Sequence, residues 1–342
     1  MARLIPRLVG PCVPYSVLLP IGLASFVTGE ESMSDDRESP LYQYEGDVFA
    51  HVYSIFPGFK DNIDLLHEHP ELLDRIADYL TKVEGKARSD DLMRLKPLII
   101  KLAGIPDGSD KLTANKRLRG FKNYDTGRLL TPYLMLDEFD RDPDQFCTDG
   151  ASGDFLPLGP DFITAFYDLR EAQPGEPLPG LMRSTLLVKA YRSVYCSPRN
   201  ANVAAGHEQP GRGQLPLMRQ YNLTRCDFTF YSIVWIASLV RFCLTDEPEW
   251  VMTHGDWDVQ EFVAAMLVTA RFKKRWLADL KKWWLPKIFG EDRSNSVAYR
   301  NTAFMQILDG PEESDHSDHD EPSNSRRSSS VHLSDEDEQL QA

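Results

Sequence analysis

The chain of 342 residues has few of the signatures that announce a chemistry. Its five cysteines, Cys12, Cys147, Cys196, Cys226 and Cys243, are widely spaced and include no C-x-x-C pair. This excludes a zinc knuckle and a thioredoxin-like dithiol, and suits a reducing compartment. No G-x-x-x-x-G-K-[ST], G-x-G-x-x-G or G-x-S-x-G occurs. The phosphate-cradling loops of nucleotide enzymes and the nucleophile elbow of hydrolases are therefore missing. Positive charge is also in deficit. With a net charge of −14 at pH 7, the chain does not gather nucleic acid by its overall field. Internal repeats and sustained strand–helix alternation are absent too.

Metal and acid–base readings are equally thin. His67-x-His69 and His316-x-x-His319 lack companion ligands nearby in sequence. The stretch "DRDPDQFCTDGA" opens like a calcium loop with Asp140, Asp142 and Asp144. It then places Gln145 where glycine is needed and Ala151 where the bidentate glutamate belongs. Asp137, Glu138 and Asp140 could serve acid–base chemistry in a pocket, but nothing in their spacing makes them converge. The expectation is no cofactor, no metal and no catalysis.

What is present is an ordinary core composition, 42% hydrophobic and 11% aromatic. The negative charge is unevenly placed. From Gly310 to Ala342 there are ten acidic and two basic residues, so the tail carries −8 and the rest of the chain −6. That tail is almost free of apolar residues. It cannot offset its own ordering entropy and is expected to be disordered. Ser317 and Ser334 each have an acid three residues on, and Ser329 follows Arg326 and Arg327. They resemble acidophilic and basophilic kinase sites, where phosphate would add negative charge.

The beginning of the chain supports three readings. Arg3 and Arg7 precede a charge-free run from Leu8 to Gly29. The run resembles a signal peptide with cleavage near Ala24 or Gly29. Its length also suggests a membrane anchor, although Pro11, Pro14 and Pro20 should break the helix. Alternatively, Met33 begins "MSDDRESP", and residues 1–32 are a disordered leader or an extension upstream of the true start. The sequon Asn222-Leu223-Thr224 is too common a match to favour secretion.

Helical periodicity governs the rest. Leu65, Leu66, Leu72, Leu73, Ile76 and Leu80 recur at helical spacing, with Pro70 suited to a first turn. Ser89 is a candidate N-cap and Gly104 a candidate C-cap of the next segment, which Pro97 should kink or split. Residues 105–116 read as a linker. "DFITAFYDLR" (161–170) reads as a short helix. Leu187, Ala190, Tyr191 and Val194 form one stripe of a helix ended by Pro198. Residues 197–217 make a loop long enough to be functional or disordered. Phe228 to Val240 is charge-free but too short for a membrane span, and a buried central helix fits it best, with Cys243 as a small core hydrophobe. Residues 259–289 read as one helix broken near Pro286.

Three stretches carry a resemblance: "GRLLTP" (127–132), "GLMRSTLLVKAYRSVYCSP" (180–198) and the Trp283–Trp284 pair. Together they resemble a fungal family, numerous in mushroom-forming fungi, that is catalogued as a domain of unknown function. The similarity spans roughly residues 118–290. It implies a fungal, mostly helical, non-catalytic protein and carries no site residue with it.

The densest positive surface lies in "RFKKRWLADLKKWWLPKIFG" (271–290). At 100° per residue, Phe272, Trp276, Leu280, Trp283 and Trp284 share one side, while Arg271, Lys274, Arg275, Lys281 and Lys282 share the other. Stacking of nucleic-acid bases needs rings exposed beside cations. Segregation instead puts the aromatics in the core and the cations in water, where they form a candidate surface for anions or a partner. The chain's own acidic tail is a second candidate occupant of that surface.

These readings converge on an all-α, irregular multi-helix protein with long loops and a disordered acidic tail. The divisions are 1–32 as an N-terminal extension, 33–117 as a helical region with linker, 118–309 as the helical domain and 310–342 as the tail. The expected function is a non-catalytic, cytoplasmic or nuclear interaction protein that binds a protein partner. The alternatives are a nucleic-acid-associated protein using residues 271–287, and a secreted helical protein.

Overall fold

A computed structural model describes residues 2–28, 48–54, 57–106, 109–153, 157–209 and 215–291. The acidic tail, with Ser317, Ser329, Ser334 and His316-x-x-His319, lies outside the described residues. Helices make up almost all the regular structure. The described residues hold one two-stranded ribbon, Thr253–His254 paired antiparallel with Trp257–Asp258. The fold is all-α.

The centre of the molecule is the helix Phe230–Leu244, in which every residue but Tyr231 is buried. Thr229 caps it, its hydroxyl accepting from the Ser232 N–H at 3.1 Å. Ser232 and Ser238 return their hydroxyls to the carbonyls of Thr229 (2.7 Å) and Val234 (2.9 Å), so neither is an unsatisfied polar group in the core. The helices Ile5–Val9, Pro70–Leu95 and Thr185–Tyr195 pack most extensively on it. The last is capped by Ser184, buries Leu187, Ala190, Tyr191 and Val194 as the stripe predicts, and ends before Pro198.

Pro70 opens the 26-residue helix Pro70–Leu95 in its first turn, where its missing N–H costs nothing. Leu73, Ala77, Leu80, Ala87 and Leu95 give it a continuous inward stripe. Ser89 lies inside this helix and caps nothing, because the stripe carries the helix through without a stop before Pro97. Gly104, at φ +74°, closes the short helix Ile99–Leu102 as a C-terminal glycine should.

Residues between Leu4 and Leu23 are part of this core. Helices Ile5–Val9 and Tyr15–Thr28 pack on the long helix, burying Leu4, Ile5, Leu8, Val9, Leu18, Leu19 and Leu23. Pro11 and Pro14 do separate two helices, but Pro20 sits inside the second. It stands on the exposed side, so the Ser16 carbonyl it strands can turn to water. No helix among the described residues is long and apolar enough to cross a membrane.

Three further expectations are corrected. Residues 105–116 include the helix Ser109–Ala114 and bury Ile105 and Leu112, so the polar linker is a packed element. The helix expected over 161–170 is a single 3-10 turn, Thr164–Phe166, flanked by bridges Pro132↔Ile163 and Tyr167↔Leu181. Thr164 donates both its N–H (2.8 Å) and its hydroxyl (2.9 Å) to Thr131 O, which pins the segment in extended pairing. The helix expected over 259–289 divides at Lys273, into Val259–Phe272 and Lys274–Phe289, and runs through Pro286. The first half packs on the central helix and the second on Thr185–Tyr195, two partners that one straight rod would not follow.

Candidate functional site

The helix Lys274–Phe289 sorts its residues as the periodicity predicts. Leu280, Trp284 and Ile288 are buried, Trp276 and Trp283 are half-buried, and Lys274, Arg275, Lys281 and Lys282 are exposed on one face with Asp279. Trp284 is fully enclosed, and its indole N–H donates to Met182 O at 2.9 Å. None of those four cations forms an ion pair among the described residues. Arg271 stands apart from them. It belongs to the preceding helix, is half-buried, and lies 6.0 Å from the Phe272 ring. Four of the five expected cations therefore share a face.

Phe272 departs from the expected aromatic stripe. It is 69% exposed, because the chain turns at Lys273 before the second helix begins. Its ring lines an open, mostly apolar groove of about 490 Å³ with Val268, Phe162, Pro177, Leu178 and Pro179, and Glu176 adds one carboxylate to the lining. Lys273 lies on the same groove and leads directly into the basic helix. An apolar trough thus adjoins a cationic face.

Other sequence candidates are occupied by structure. His69 Nδ1 lies 3.1 Å from Glu71 on an exposed helix start. Asp140 takes both prongs of Arg128 at 2.8 Å, and Asp142 caps the helix Pro143–Ser152 through the Gln145 N–H. No group of three His, Cys, Asp or Glu side chains is placed to hold a metal among the described residues. All five thiols are free, and burial pushes Cys196 up to about 11 and Cys243 up to about 12, so neither is a nucleophile at neutral pH. From Pro198 to Gln209 the loop is held rather than loose. Asn200 is buried and exchanges hydrogen bonds with the Gln209 backbone (3.0 and 3.2 Å), and Glu208 pairs with Arg192 at 2.8 Å.

The carboxyl end of the central helix holds a feature that periodicity does not reveal. Arg119 is buried and donates to Leu112 O (2.8 Å) and to Cys243 O (2.7 Å), satisfying one of the helix's last carbonyls. Lys116 Nζ lies 4.0 Å from the Phe242 ring centre and donates to Thr245 Oγ1 and Glu247 O. Burial pulls its pKa down to about 7. Asp246 receives His254 Nε2 at 3.6 Å and Lys122 Nζ at 2.7 Å, and together they hold its carboxyl well below the usual carboxylate range.

Between these groups lies a cavity of about 210 Å³ lined by Phe121, Lys122, Leu130, Arg241, Asp246 and His254 among others. Arg241 is 4% exposed, with its guanidinium 3.7 Å over the Trp257 ring. Its Nε is sealed from solvent with no acceptor, and the side chain makes no hydrogen bond or ion pair among the described residues. The signal was in the sequence as a single arginine within the apolar run from Phe228 to Leu244.

No curated protein and no solved structure matches the chain. A family model does match residues 82–289, more than half of the chain and extending some way before the stretches that carried the resemblance. The chain belongs to the family of unknown function DUF6698.

Proposed function

We propose that this protein is a non-catalytic interaction protein that docks an acidic, apolar-bearing segment of a protein partner on the basic helix and the groove beside it. The resemblance further implies a fungal protein, and free thiols suit action in the cytoplasm or nucleus. The observation that carries the reading is the exposed Phe272 ring beside Lys273 and Lys274. An exposed aromatic in an apolar trough, rimmed by cations without carboxylate partners, complements a segment of alternating acidic and apolar residues. A phosphate backbone would use the cations and leave the trough empty.

The test is binding of the full chain to an acidic peptide containing Leu and Phe, and separately to mixed-sequence duplex and single-stranded DNA and RNA, across a salt series. Peptide binding that survives moderate salt and falls about tenfold or more in Phe272→Ser supports the proposal, an aromatic anchor being worth ~2 kcal/mol. Nucleic-acid binding that falls steeply with salt and ignores Phe272→Ser would replace it with the backbone-binding reading. Binding to neither would remove the helix as a working surface.

A further inference from the structure

We propose that the cavity at the carboxyl end of the central helix binds a small carboxylic acid, with Arg241 holding the carboxylate. The chain has four deeply buried arginines in its described core, and it satisfies three of them. Arg7 has Asp91, Ala87 O and Arg3 O; Arg119 has backbone carbonyls; Arg192 has Glu208, Asn200 O and Lys287 O. Arg241 alone among these is given a ring face and no acceptor. A buried cation without an anion is unfavourable, and a partner arriving from outside relieves it.

The surroundings select the class of anion. The planar guanidinium presents paired N–H donors that match the two oxygens of a carboxylate. Trp257 covers one of its faces, so an acceptor must approach in the plane, from the cavity. The nearby negative charge of Asp246 is already paired with Lys122 at 2.7 Å. Among the described residues that leaves Arg241 as the one cavity cation without an acceptor, enough for a monoanion and short of what a phosphate dianion needs. Phe121, Leu130 and Pro157 supply apolar wall for a short hydrocarbon body. At about 210 Å³ the space lies below the ~300 Å³ at which drug-sized sites begin, so the acid is small. Burial also lowers the Arg241 pKa to about 9, as expected of a guanidinium that lacks its counter-ion. The cavity and the basic helix share no lining residue, so this site stands independently of the partner-docking surface.

The experiment is a calorimetric and thermal-shift titration of the full chain with sodium butyrate at constant ionic strength. Sodium phosphate and the uncharged isostere butyramide run beside it. Butyrate should bind saturably and raise Tm with ligand concentration, with butyramide and phosphate at least tenfold weaker. Arg241→Gln should abolish the response, Arg241→Lys should weaken it by losing the paired donors, and Lys281→Glu should leave it unchanged. Absence of saturable butyrate binding overturns the proposal, as does equal binding of butyramide, tighter binding of phosphate, or binding retained in Arg241→Gln. If Arg241→Gln does not fold, butyrate against butyramide on the unmodified chain decides the matter.

Discussion

Arg7 and Asp91, 84 residues apart, form a two-pronged ion pair sealed from water, with Nε–Oδ2 and Nη2–Oδ1 both at 2.8 Å. Trp235 adds its indole N–H to the same carboxylate at 3.0 Å, and Tyr195 donates its hydroxyl to Arg7 O at 2.7 Å. One network therefore joins the chain's first helix to the long helix, the central helix and Thr185–Tyr195. Arg7→Met leaves the Asp91 carboxylate buried without its cation, which should cost ~3–5 kcal/mol. Arg3→Ala, which removes an exposed pair with Asp90, should cost under ~1 kcal/mol. Urea unfolding of the two variants checks this, and equal losses would show that the buried pair anchors nothing.

The two ends of the aromatic stripe should behave oppositely. Trp284 is enclosed among Tyr191, Phe228 and Trp283, and Trp284→Ala should lose ~3–5 kcal/mol. Phe272 stands in solvent, so Phe272→Ser should change stability by no more than ~0.5 kcal/mol. A large loss at Phe272 would mean that the ring is packed after all, and the groove would not be available to a partner.

Lys116 gives stability a pH dependence of defined sign. Its folded pKa, pulled down to about 7 by burial, lies below the ordinary lysine value, so the unfolded chain holds the proton more tightly. Below pH 7 both states are charged and the folded state carries the whole desolvation cost. As pH rises from about 7 towards 10, the folded state sheds the proton first and its relative stability increases. Lys116→Met should remove this rise and be most stabilising, relative to the unmodified chain, near pH 6. Tm measured at half-unit steps from pH 6 to 9 tests it, and parallel curves for the two proteins would refute the assignment.

Gly180 makes a turn that other residues cannot. It has φ +76°, and a Cβ there would stand 2.5 Å from Asp168 O, whose own N–H donates to Gly180 O at 2.9 Å. Ala172 N would stand 3.1 Å from it as well, and both obstacles are backbone, so a side-chain shift cannot relieve them. Gly180→Ala should cost ~1–3 kcal/mol, read as a drop in the urea midpoint. Gly175, also at positive φ but with open space around its would-be Cβ, should lose less on the same substitution.

Long amphipathic elements were legible because their stripes are self-contained. The Thr185–Tyr195 stripe, the buried Phe230–Leu244 helix and the first-turn role of Pro70 all follow from spacing and local sterics. The expectations that failed depended on partners distant in sequence. The 161–170 segment becomes extended because Thr131 captures Thr164, and the break falls at Lys273 because the two halves pack on different helices. The cationic face was visible as charge at fixed angles. The Arg241 cavity was not, since its walls come from segments around 121, 130, 157, 241 and 254 that periodicity does not join.

The stretch that recurs as a family begins at residue 82, in the middle of the helix Pro70–Leu95. Its Asp91 is neutralised by Arg7, which lies well outside that stretch. The matched stretch and the packed body therefore have different bounds here. A fragment trimmed to 82–289 would cut a helix in two and carry an orphaned acid at its heart.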